Sequence, residues 1–479
     1  MKIFIRVLLL MLALAIGAGS RCQAEERLAI KDVTVIDATG AAAQAGQTVV
    51  IANGRIEQVG PSRKVRVPVG ARVIDGKGQF LIPGLWDMHV HLAGIVADPS
   101  WSKETLLPLL IVNGVTGVRD MGGKLSALLA WREEIAAGKL LGPHLFFSGP
   151  MIDGAAFGDL DIIAVKTPEK GRQTVDKLQQ EGADFIKVLS RLNRESYFAI
   201  AQESKVRGIR FAGHVPVAVG TGEASDAGQQ SIEHILYGGF AVACAKNEAD
   251  FRAQLVEAFR NGRILAIAKV IDGAQEQYDS QKAAALWKKL VVNQTWVVPT
   301  LVSTYDSGRL DQLAAKKELL EYLPGSVTKT WSPEEIQNAT VPAKLQLYQI
   351  QLKAHMKLVG EMHRAGVRLL AGTDSLDTYE FPGNSLHQEL QFLAQSGLTP
   401  MEALQTATLN AAAFLGKQSD YGTIQKGKVA DIVLLGANPL ENIANTQKIR
   451  GVVVAGRFLD QAALAGMLEQ AKKAAAQAK

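Results

Sequence analysis

Two histidines one residue apart are the part of this sequence that most directly suggests chemistry. His89 and His91 lie in a hydrophobic, strand-like stretch that follows the Pro83-Gly84 turn. Residues i and i+2 of a strand project from the same face, so the two imidazoles converge on one point. Neutral imidazole is a preferred ligand of zinc and its neighbours. An isolated pair of this kind also fits a strand end that binds no metal, and the rest of the chain must decide between the two interpretations.

Further residues of ligand type lie at or near the carboxyl ends of other strand-like segments. They are Lys187, His214, His234 and Asp374. Each alone has an ordinary structural explanation, such as a core histidine, an aspartate that caps a helix or a lysine whose ammonium reaches solvent. If the strands are parallel and close into a barrel, their carboxyl ends meet at one mouth, together with His89 and His91. The joint placement therefore favours a metal site.

Strand-like and helical segments alternate through the middle of the chain, from Gly84 to about Leu415. This alternation is typical of a parallel α/β sheet. Eight parallel strands predict a closed (β/α)8 TIM barrel, with its functional loops after the strands' carboxyl ends. An insertion at 301–345 then follows the seventh strand, where either a lid or an ordinary surface excursion fits. The eight strand candidates are residues 86–91, 115–119, 145–148, 185–189, 210–214, 231–235, 296–300 and 368–374.

Short β runs flank this middle region on both sides. They occupy much of residues 28–80 and return at residues 430–435 and 450–457. Turn signals such as Ala52-Asn53-Gly54 separate them. Both ends of the chain are therefore predicted to be β structure, apart from an Ala- and Lys-rich helical stretch at 461–479.

The amino-terminal segment up to residue 24 predicts a cleaved secretory signal. Lys2 and Arg6 form a basic start, residues 7–16 an apolar run, and Cys22-Gln23-Ala24 a small-x-small exit. A lipid anchor on Cys22 is disfavoured because Arg21 stands where a small residue is wanted. The apolar run is too short for a comfortable membrane span, and no later stretch approaches the ~20 residues that a span needs. The mature protein is expected to be exported, to the periplasm or the extracellular space.

Composition bounds the remaining classes of protein. A chain of 479 residues with 47% hydrophobic content fits one large domain with an appendage. The net charge of +5 includes three basic residues of the segment expected to be removed, so nucleic acid is not an expected partner. Cleavage leaves Cys244 as the single cysteine, which predicts an inert buried thiol and no internal disulfide. No nucleophile elbow, phosphate loop, Cys-x-x-Cys pair or dinucleotide fingerprint competes with the metal hypothesis.

Several motifs give the whole mature sequence a family resemblance. The most specific are Pro83-Gly84-Leu85-Trp86-Asp87-Met88-His89-Val90-His91 and Ala371-Gly372-Thr373-Asp374; the others are 114–120, Ile186-Lys187, Ser231-Ile232-Glu233-His234 and 398–404. With these motifs the chain resembles the metal-dependent amidohydrolase superfamily. Within it, the chain is similar to the imidazolonepropionase-like and prolidase-like (Xaa-Pro dipeptidase-like) group. The resemblance implies a (β/α)8 barrel that carries a β-sandwich built from both chain ends.

The expected domain organisation follows from the resemblance and the signal segment. It comprises a signal peptide at 1–24, a composite β-sandwich at 25–82 and 420–460, a metal-dependent hydrolase barrel at 83–419 and a helical tail at 461–479. A barrel with an exposed sandwich could associate into a homo-oligomer. A small molecule is the expected partner, because the predicted site lies at a barrel mouth.

The resemblance also implies a set of metal ligands. Lys187 matches a strand-four lysine that, in binuclear members, is carboxylated by carbon dioxide and bridges two divalent metals. An unmodified ammonium would repel a dication, so a lysine ligand must lose its charge. Zinc is the expected metal, although histidine and carboxylate ligands also suit manganese and cobalt. By the same match, the more buried ion is bound by His89, His91 and Asp374, and the other ion by His214 and His234.

The implied activity is hydrolysis of an amide or peptide C–N bond in a small molecule, such as a dipeptide or an N-acyl amino acid. A hydroxide bridging the metals would attack the carbonyl carbon, and Asp374 would accept the proton of the water and deliver it to the leaving group. Imidazolonepropionases lack the lysine and use one metal, so a mononuclear hydrolase of a cyclic amide or a lactone is the alternative enzyme. A non-enzymatic binding barrel is the alternative of another class, but it has no need of a carbamate-forming lysine.

Four residues are candidates for contact with the substrate: Arg119, Phe157, Tyr237 and His387. Phe157 stands where dipeptidase-type relatives have a histidine, and the tyrosine that they often carry after the strand-five histidine is absent after His214. Both departures weaken the transfer of a dipeptide pocket, so proline specificity is not assigned. Arg119 could instead pair with Asp120 or another acid. Tyr237 could pack beneath a loop, and His387 could cap a helix.

Overall fold

The computed structural model describes most of the chain beyond the amino-terminal segment. The described residues are 27–94, 98–156, 161–235, 239–262, 264–313, 318–332, 334 and 342–478. The predicted signal peptide at 1–24 and the substrate candidates Phe157 and Tyr237 lie outside these residues, as do parts of the predicted insertion at 301–345.

The strands fall into one mixed sheet and two parallel sheets. In chain order they are β1 (Leu28–Val35), β2 (Gln44–Ala52), β3 (Arg55–Pro61), β4 (Arg72–Asp75), β5 (Phe80–Pro83), β6 (Leu85–Val90), β7 (Val115–Asp120), β8 (His144–Phe147), β9 (Met151–Asp153), β10 (Ile162–Ala164), β11 (Phe185–Val188), β12 (Arg210–Gly213), β13 (Ser231–Glu233), β14 (Trp296–Val298), β15 (Ile432–Leu435), β16 (Ile449–Val454) and β17 (Arg457–Asp460).

The mixed sheet is built from both ends of the chain. Its order is β17-β16-β15-β5-β1-β2-β3, and β4 also pairs with β1. The two ends join where β5 and β15 run antiparallel, with Leu81 opposite Leu434. The structure assigns these strands to one connected sheet, so the two-layered β-sandwich stays a prediction.

A bulge in β1 explains how this sheet buries one continuous apolar face. Leu28 and Ile30 belong to one buried cluster, and Ala29 between them belongs to another, as expected for opposite faces of a strand. The register then shifts between Ile30 and Val33, where Asp32 has a left-handed φ of 57°. The extra residue returns Val33 to the same buried cluster.

The middle of the chain forms the parallel α/β structure that the alternating pattern predicts. One sheet has the order β6-β7-β8 and the other β10-β9-β11-β12-β13-β14. The segment 368–374 links them, because Leu370 N donates to Val297 O and Met88 N donates to Ala371 O. A close approach is needed here, since a Cβ on Gly372 would lie 2.9 Å from the Cβ of His89. The α/β fold is confirmed, and the closed eight-stranded barrel stays a prediction.

Helices connect the parallel strands and complete the chain. The α-helices among the described residues are Pro99–Val112, Leu125–Ala136, Pro168–Gln180, Arg194–Arg207, Thr221–Asp226, Gly239–Ala243, Glu248–Arg260, Ile264–Glu276, Ser280–Val292, Leu301–Ser307, Leu310–Leu313, Gly325–Thr330, Pro342–Arg364, Asn384–Gln395, Pro400–Thr406, Leu409–Leu415 and Gln461–Gln477. Two 3-10 helices, Leu320–Tyr322 and Ile443–Gln447, complete the set. Within the part of the chain that the structure describes, no helix has the length and apolarity to cross a membrane.

The described part of the predicted insertion packs against the loop that follows Asp374. Trp331 is buried, stacks on Tyr379 with 5.4 Å between ring centroids, and accepts a hydrogen bond from the Tyr379 hydroxyl at its carbonyl oxygen. Phe381 meets the same indole edge-on. The insertion and the loop after Asp374 therefore share one aromatic cluster, and a lid function stays a prediction.

Candidate metal centre

His89 and His91 converge on Asp374. Every residue of β6 is buried, and His91 directly follows this strand. The Nε2 atoms of both histidines lie 3.2 Å from the same Asp374 oxygen, Oδ1. Asp374 N also donates to His89 O over 2.8 Å, so the backbones of the two segments are tied at the same point.

His234 and His214 extend this group on its other side. The ring centroids of His89 and His234 are 4.4 Å apart, and those of His234 and His214 are 5.0 Å apart. His234 Nδ1 lies 3.6 Å from Asp374 Oδ2. One ligand atom from each of His89, His234 and Asp374 can be chosen so that all three lie within 4.8 Å of one another.

The partners of the imidazole Nδ1 atoms show that the donor set suits a divalent metal. Each Nδ1 is held by another part of the protein: in His89 by Glu233 Oε2 at 2.9 Å, in His91 by Gly122 O at 3.0 Å, in His214 by Ser190 Oγ at 2.7 Å and in His234 by Thr300 Oγ1 at 2.8 Å. Metal-binding histidines characteristically use one nitrogen for the metal and the other for such an outer partner. The chemistry of these residues therefore fits a metal ion.

Lys187 lies inside the same group. It is 1% exposed, and its Nζ is 3.3 Å from His89 Nε2. Burial lowers the pKa of Lys187 to about 8, against the opposing effect of the Glu233 and Asp374 carboxylates. A larger share of its amine is therefore neutral near physiological pH than for an exposed lysine.

The carboxylate of Asp374 is ionised despite its burial. Desolvation raises its pKa, but the imidazoles of His234 and His89 hold the pKa well below its usual range. A metal ligand must be deprotonated, so this environment suits the proposed donor.

Three residues at or just after strand ends adopt left-handed backbone conformations. His234 follows β13 with φ 63°, Thr300 lies shortly after β14 with φ 47°, and Asp374 ends the linking segment with φ 70°. Such conformations are uncommon for residues other than glycine, and each costs on the order of 1–3 kcal/mol. Two of these residues are predicted ligands, and the third holds His234. Strain of this kind often marks functional sites.

Arg119 lies in the interior and not at the rim. Its guanidinium is fully buried and donates to both oxygens of Glu233 at 2.8 Å. It also lies over the rings of Phe414 and Phe185. Its acidic partner is therefore Glu233 instead of Asp120, and the structure does not present Arg119 to a substrate.

Glu233 and Asp87 are buried acids that the sequence interpretation left without a role. Glu233 directly precedes His234. The available signal in the sequence was its position two residues after Ser231 in a predicted strand, which puts both side chains on the same face. Asp87 accepts hydrogen bonds from Thr373 Oγ1 at 2.7 Å and from Thr373 N at 3.1 Å. Burial raises the pKa of Asp87 to about 7, against the effect of these hydrogen bonds. Asp87 ties β6 to the segment that carries Asp374.

His387 is placed away from the six converging residues. It lies in the helix Asn384–Gln395, fully buried, with Nδ1 3.0 Å from Thr446 Oγ1. Burial lowers the pKa of His387 to about 4, so the ring is neutral. The structure therefore gives this substrate candidate a packing role between a helix and the 3-10 helix Ile443–Gln447.

The sequence matches the model of a known family, and both the sequence and the fold resemble those of known proteins. The model of the amidohydrolase family matches residues 80–459. Ochratoxinase of Aspergillus niger is 25% identical over 404 residues, which is 78% of this chain and 73% of that protein. Imidazolonepropionase of Shewanella baltica (strain OS223) is 24% identical over 455 residues, which is 88% of this chain and 96% of that protein. The structure of a Xaa-Pro dipeptidase with methionine bound in its active site has a similar fold, with a TM-score of 0.65, 20% identity, and coverage of 91% of this chain and 100% of that one.

Proposed function

Because this chain belongs to the amidohydrolase family, we propose that it is an exported enzyme that hydrolyses the amide C–N bond of a small molecule, such as a dipeptide or an N-acyl amino acid. The proposal includes two divalent metal ions, with zinc as the expected metal. The single observation that carries it is the convergence of His89, His91 and Asp374 with Lys187 and two further histidines in one buried group.

The residues present suggest how two ions would be held. His89, His91 and Asp374 would bind the more buried ion, and His214 and His234 the other, with a carboxylated Lys187 between them. Bound metals of this kind polarise a carbonyl and lower the pKa of water. Since the outer partners of all four imidazoles are already in place, the ligands need little reorganisation on binding.

The surroundings of Lys187 support its carboxylation. The neutral amine would attack carbon dioxide, form an N–C bond and release one proton. Lys187 is buried and its Nζ lies 3.3 Å from His89 Nε2, so the oxygens of a carbamate would lie close to the histidines. The product is an anion with two ligand oxygens, which replaces a cation that would repel a metal.

Asp374 would carry the proton in the reaction. Its Oδ1 faces His89 and His91, and its Oδ2 faces His234, so the carboxylate lies at the centre of the donor group. It would accept a proton from the attacking water and deliver it to the leaving nitrogen.

Similarity to other family members favours an amide bond as the target. A Xaa-Pro dipeptidase acts on a peptide bond, and its structure resembles this chain over most of its length. The likeness to imidazolonepropionase, together with the compact group of His89, His234 and Asp374, favours a second candidate. That candidate is a mononuclear hydrolase of a cyclic amide or a lactone.

Metal content and substrate turnover together test the proposal. The mature protein would be purified, analysed for metals, and assayed against dipeptides, N-acyl amino acids, a cyclic amide and a lactone. We expect close to two divalent ions per chain with turnover of a linear amide. One ion with turnover of the cyclic amide or lactone would establish the second candidate instead. No metal after reconstitution with zinc and bicarbonate would overturn both.

The expected export has its own test. We propose that cleavage near residue 24 releases the mature chain outside the cytoplasm, because residues 1–24 have the basic, apolar and small-residue order of a signal. Amino-terminal sequencing of protein from the culture medium or the periplasm should find a start at or near Glu25. Recovery of the full chain with its original terminus from the cytoplasm would contradict export.

A further inference from the structure

We propose that Arg119 and Glu233 are positioning residues, which together fix the orientation and the tautomer of His89 for metal binding. This inference rests on the metal centre of the proposed function. It assigns a purpose to a buried ion pair that lies beside a predicted metal ligand.

The guanidinium of Arg119 is bonded both to the backbone next to His89 and to the acid that contacts the His89 ring. Arg119 extends from β7, and its Nε donates to Met88 O at 2.6 Å, at the peptide that precedes His89. Its Nη2 donates to both oxygens of Glu233 at 2.8 Å. The planar fork of arginine fixes the angle between these bonds, which a lysine could not reproduce.

Glu233 transmits this constraint to the imidazole. Its Oε2 lies 2.9 Å from His89 Nδ1. A carboxylate that accepts from Arg119 can only accept from the ring as well, so Nδ1 carries the proton. The other ring nitrogen, Nε2, then offers its lone pair toward the donor group, 3.2 Å from Asp374 Oδ1.

Ser231 links Arg119 and Glu233 by a second path of hydrogen bonds. Its hydroxyl accepts from Arg119 Nη1 at 2.8 Å and donates to Glu233 Oε1 in a short hydrogen bond. Each Glu233 oxygen thus accepts two hydrogen bonds. The arrangement leaves no alternative direction for any of these protons, and the tautomer of His89 follows from it.

Stability alone is a poor explanation for this ion pair. Arg119 is 0% and Glu233 1% exposed, and burying such a pair requires removing two charges from water. Replacement of buried ion pairs by apolar residues is often neutral or stabilising. An apolar pair here would leave His89 Nδ1 without its acceptor. The cost is explained if the pair determines how His89 binds the metal.

The main test measures zinc affinity of the metal-free chain by competition with a chelator. Glu233→Gln preserves the shape of the side chain and removes its charge. Its amide has a single oxygen, so one of the two accepting positions of Glu233 is lost. Arg119→Lys removes the fork. We expect zinc to bind about 10 to 100 times more weakly to each variant, as is typical when an outer partner of a ligand is lost. The visible spectrum of the cobalt-loaded Glu233→Gln variant should also change, since it reports ligand geometry.

A double variant separates metal binding from folding. Arg119→Met combined with Glu233→Met should unfold at a temperature close to that of the wild type and still bind zinc weakly. Arg132→Lys is a matched control, because Arg132 also donates twice to one carboxylate, that of Asp184, and lies over an aromatic ring. The control should bind zinc as tightly as the wild type.

The outcomes distinguish this inference from the proposed function. Folded variants that bind zinc within twofold of the wild type, with an unchanged cobalt spectrum, would overturn the positioning role alone. If Glu233→Gln does not fold, the double variant tests the positioning role by its zinc affinity and cobalt spectrum in the same way. If the wild-type chain itself binds no zinc, the proposed metal centre fails, and this inference fails with it.

Discussion

Lys187 has the environment of a reactive amine and not of a surface cation. It is buried, its Nζ lies beside His89 Nε2, and burial lowers its pKa to about 8. An ammonium at this position would face a metal ion of the same sign. The proposed carboxylation would neutralise the amine, remove that conflict and add two oxygen ligands.

Carboxylation of Lys187 should be directly observable. When the metal-free chain is incubated with 13C-bicarbonate and zinc, we expect one new carbamate carbon signal in its NMR spectrum. Lys187→Arg keeps the positive charge but cannot form this carbamate under the same conditions, so the signal should disappear and activity should be lost. A carbamate signal that persists in Lys187→Arg would assign the modification to another amine.

Asp374→Asn should abolish turnover while preserving the fold. Asparagine tolerates a left-handed backbone better than most residues, so the turn at φ 70° can remain. Its amide cannot accept a proton at neutral pH, and general acid–base catalysis typically contributes about 10² to 10⁴-fold. The measurements are kcat and the thermal unfolding midpoint of both proteins. A folded variant with more than a tenth of the wild-type kcat would remove Asp374 from proton transfer.

The residues predicted at the site illustrate what a sequence can and cannot provide at this scale. The convergence of His89, His91 and Asp374 was predictable because strand periodicity and strand ends determine the direction of these side chains, and their role as metal ligands stays a prediction. The pairing of Arg119 with Glu233 was not predictable, since it depends on which strands face each other across the interior. Substrate contact by Phe157 and Tyr237 stays a prediction, because both residues lie outside the described residues.

At the scale of elements, the short helix Leu301–Ser307 connects a buried acid to the site. Glu389, in the helix Asn384–Gln395, accepts a hydrogen bond from Val302 N at 2.8 Å, in the first turn of that short helix. Thr300, which directly precedes this helix, is hydrogen-bonded to the ring of His234. Burial raises the pKa of Glu389 to about 8, against the effect of the backbone donors. The carboxyl is therefore largely protonated at neutral pH.

This shifted pKa predicts a pH dependence of stability. The pKa of Glu389 in the folded chain, about 8, exceeds the ordinary value of 4.5. The contribution of this carboxyl to the free energy of unfolding is therefore fully present below pH 4.5 and is lost as the pH rises from 4.5 to about 8. Glu389→Gln cannot ionise, and its stability relative to the wild type should rise by up to about 1.4 kcal/mol per pH unit within that window. Urea unfolding at several pH values measures this slope. The exposed Glu133→Gln should retain the wild-type slope, and an unchanged slope in Glu389→Gln would contradict the assignment.

The strands show where periodicity stops being informative. β9 and β10, each of three residues, were not predicted, whereas the equally short β13 and β14 were. The predicted eighth strand, 368–374, occurs as a linking segment with isolated bridges such as Val297 to Leu369. Its Gly372 and the turn at Asp374 favour close approach to β6 over a long regular ladder.

At the scale of the whole molecule, the motifs correctly predicted the family, and the alternating pattern correctly predicted an α/β fold. The family model matches 80–459, which includes parts of both terminal β regions. The predicted domain boundaries, the two-layered sandwich and the closed barrel stay predictions. They depend on long-range packing, which local patterns constrain weakly.

The joined ends of the mixed sheet predict different effects of two truncations. A chain that stops after Val429 lacks β15 to β17 and exposes Leu81 and Ile82, which are fully buried in the intact sheet. We expect it to be insoluble or unfolded. A chain that stops after Asp460 loses only the final helix and should fold with a lower unfolding midpoint. Circular dichroism and solubility measure both, and a soluble, folded protein ending at Val429 would show that the sheet does not need its carboxyl-terminal strands.

The pairing of β5 with β15 also sets the timing of folding during biosynthesis. β5 emerges from the ribosome before its partner Ile432–Leu435, which follows about 350 residues later in the chain. At about 5 to 20 residues per second, the early strands wait on the order of tens of seconds before their sheet can close. Until β15 is made, the side of β5 that pairs with it has no strand partner, and the sheet is incomplete. Such a delay would suit the proposed export, in which the chain passes through a translocation channel before it folds.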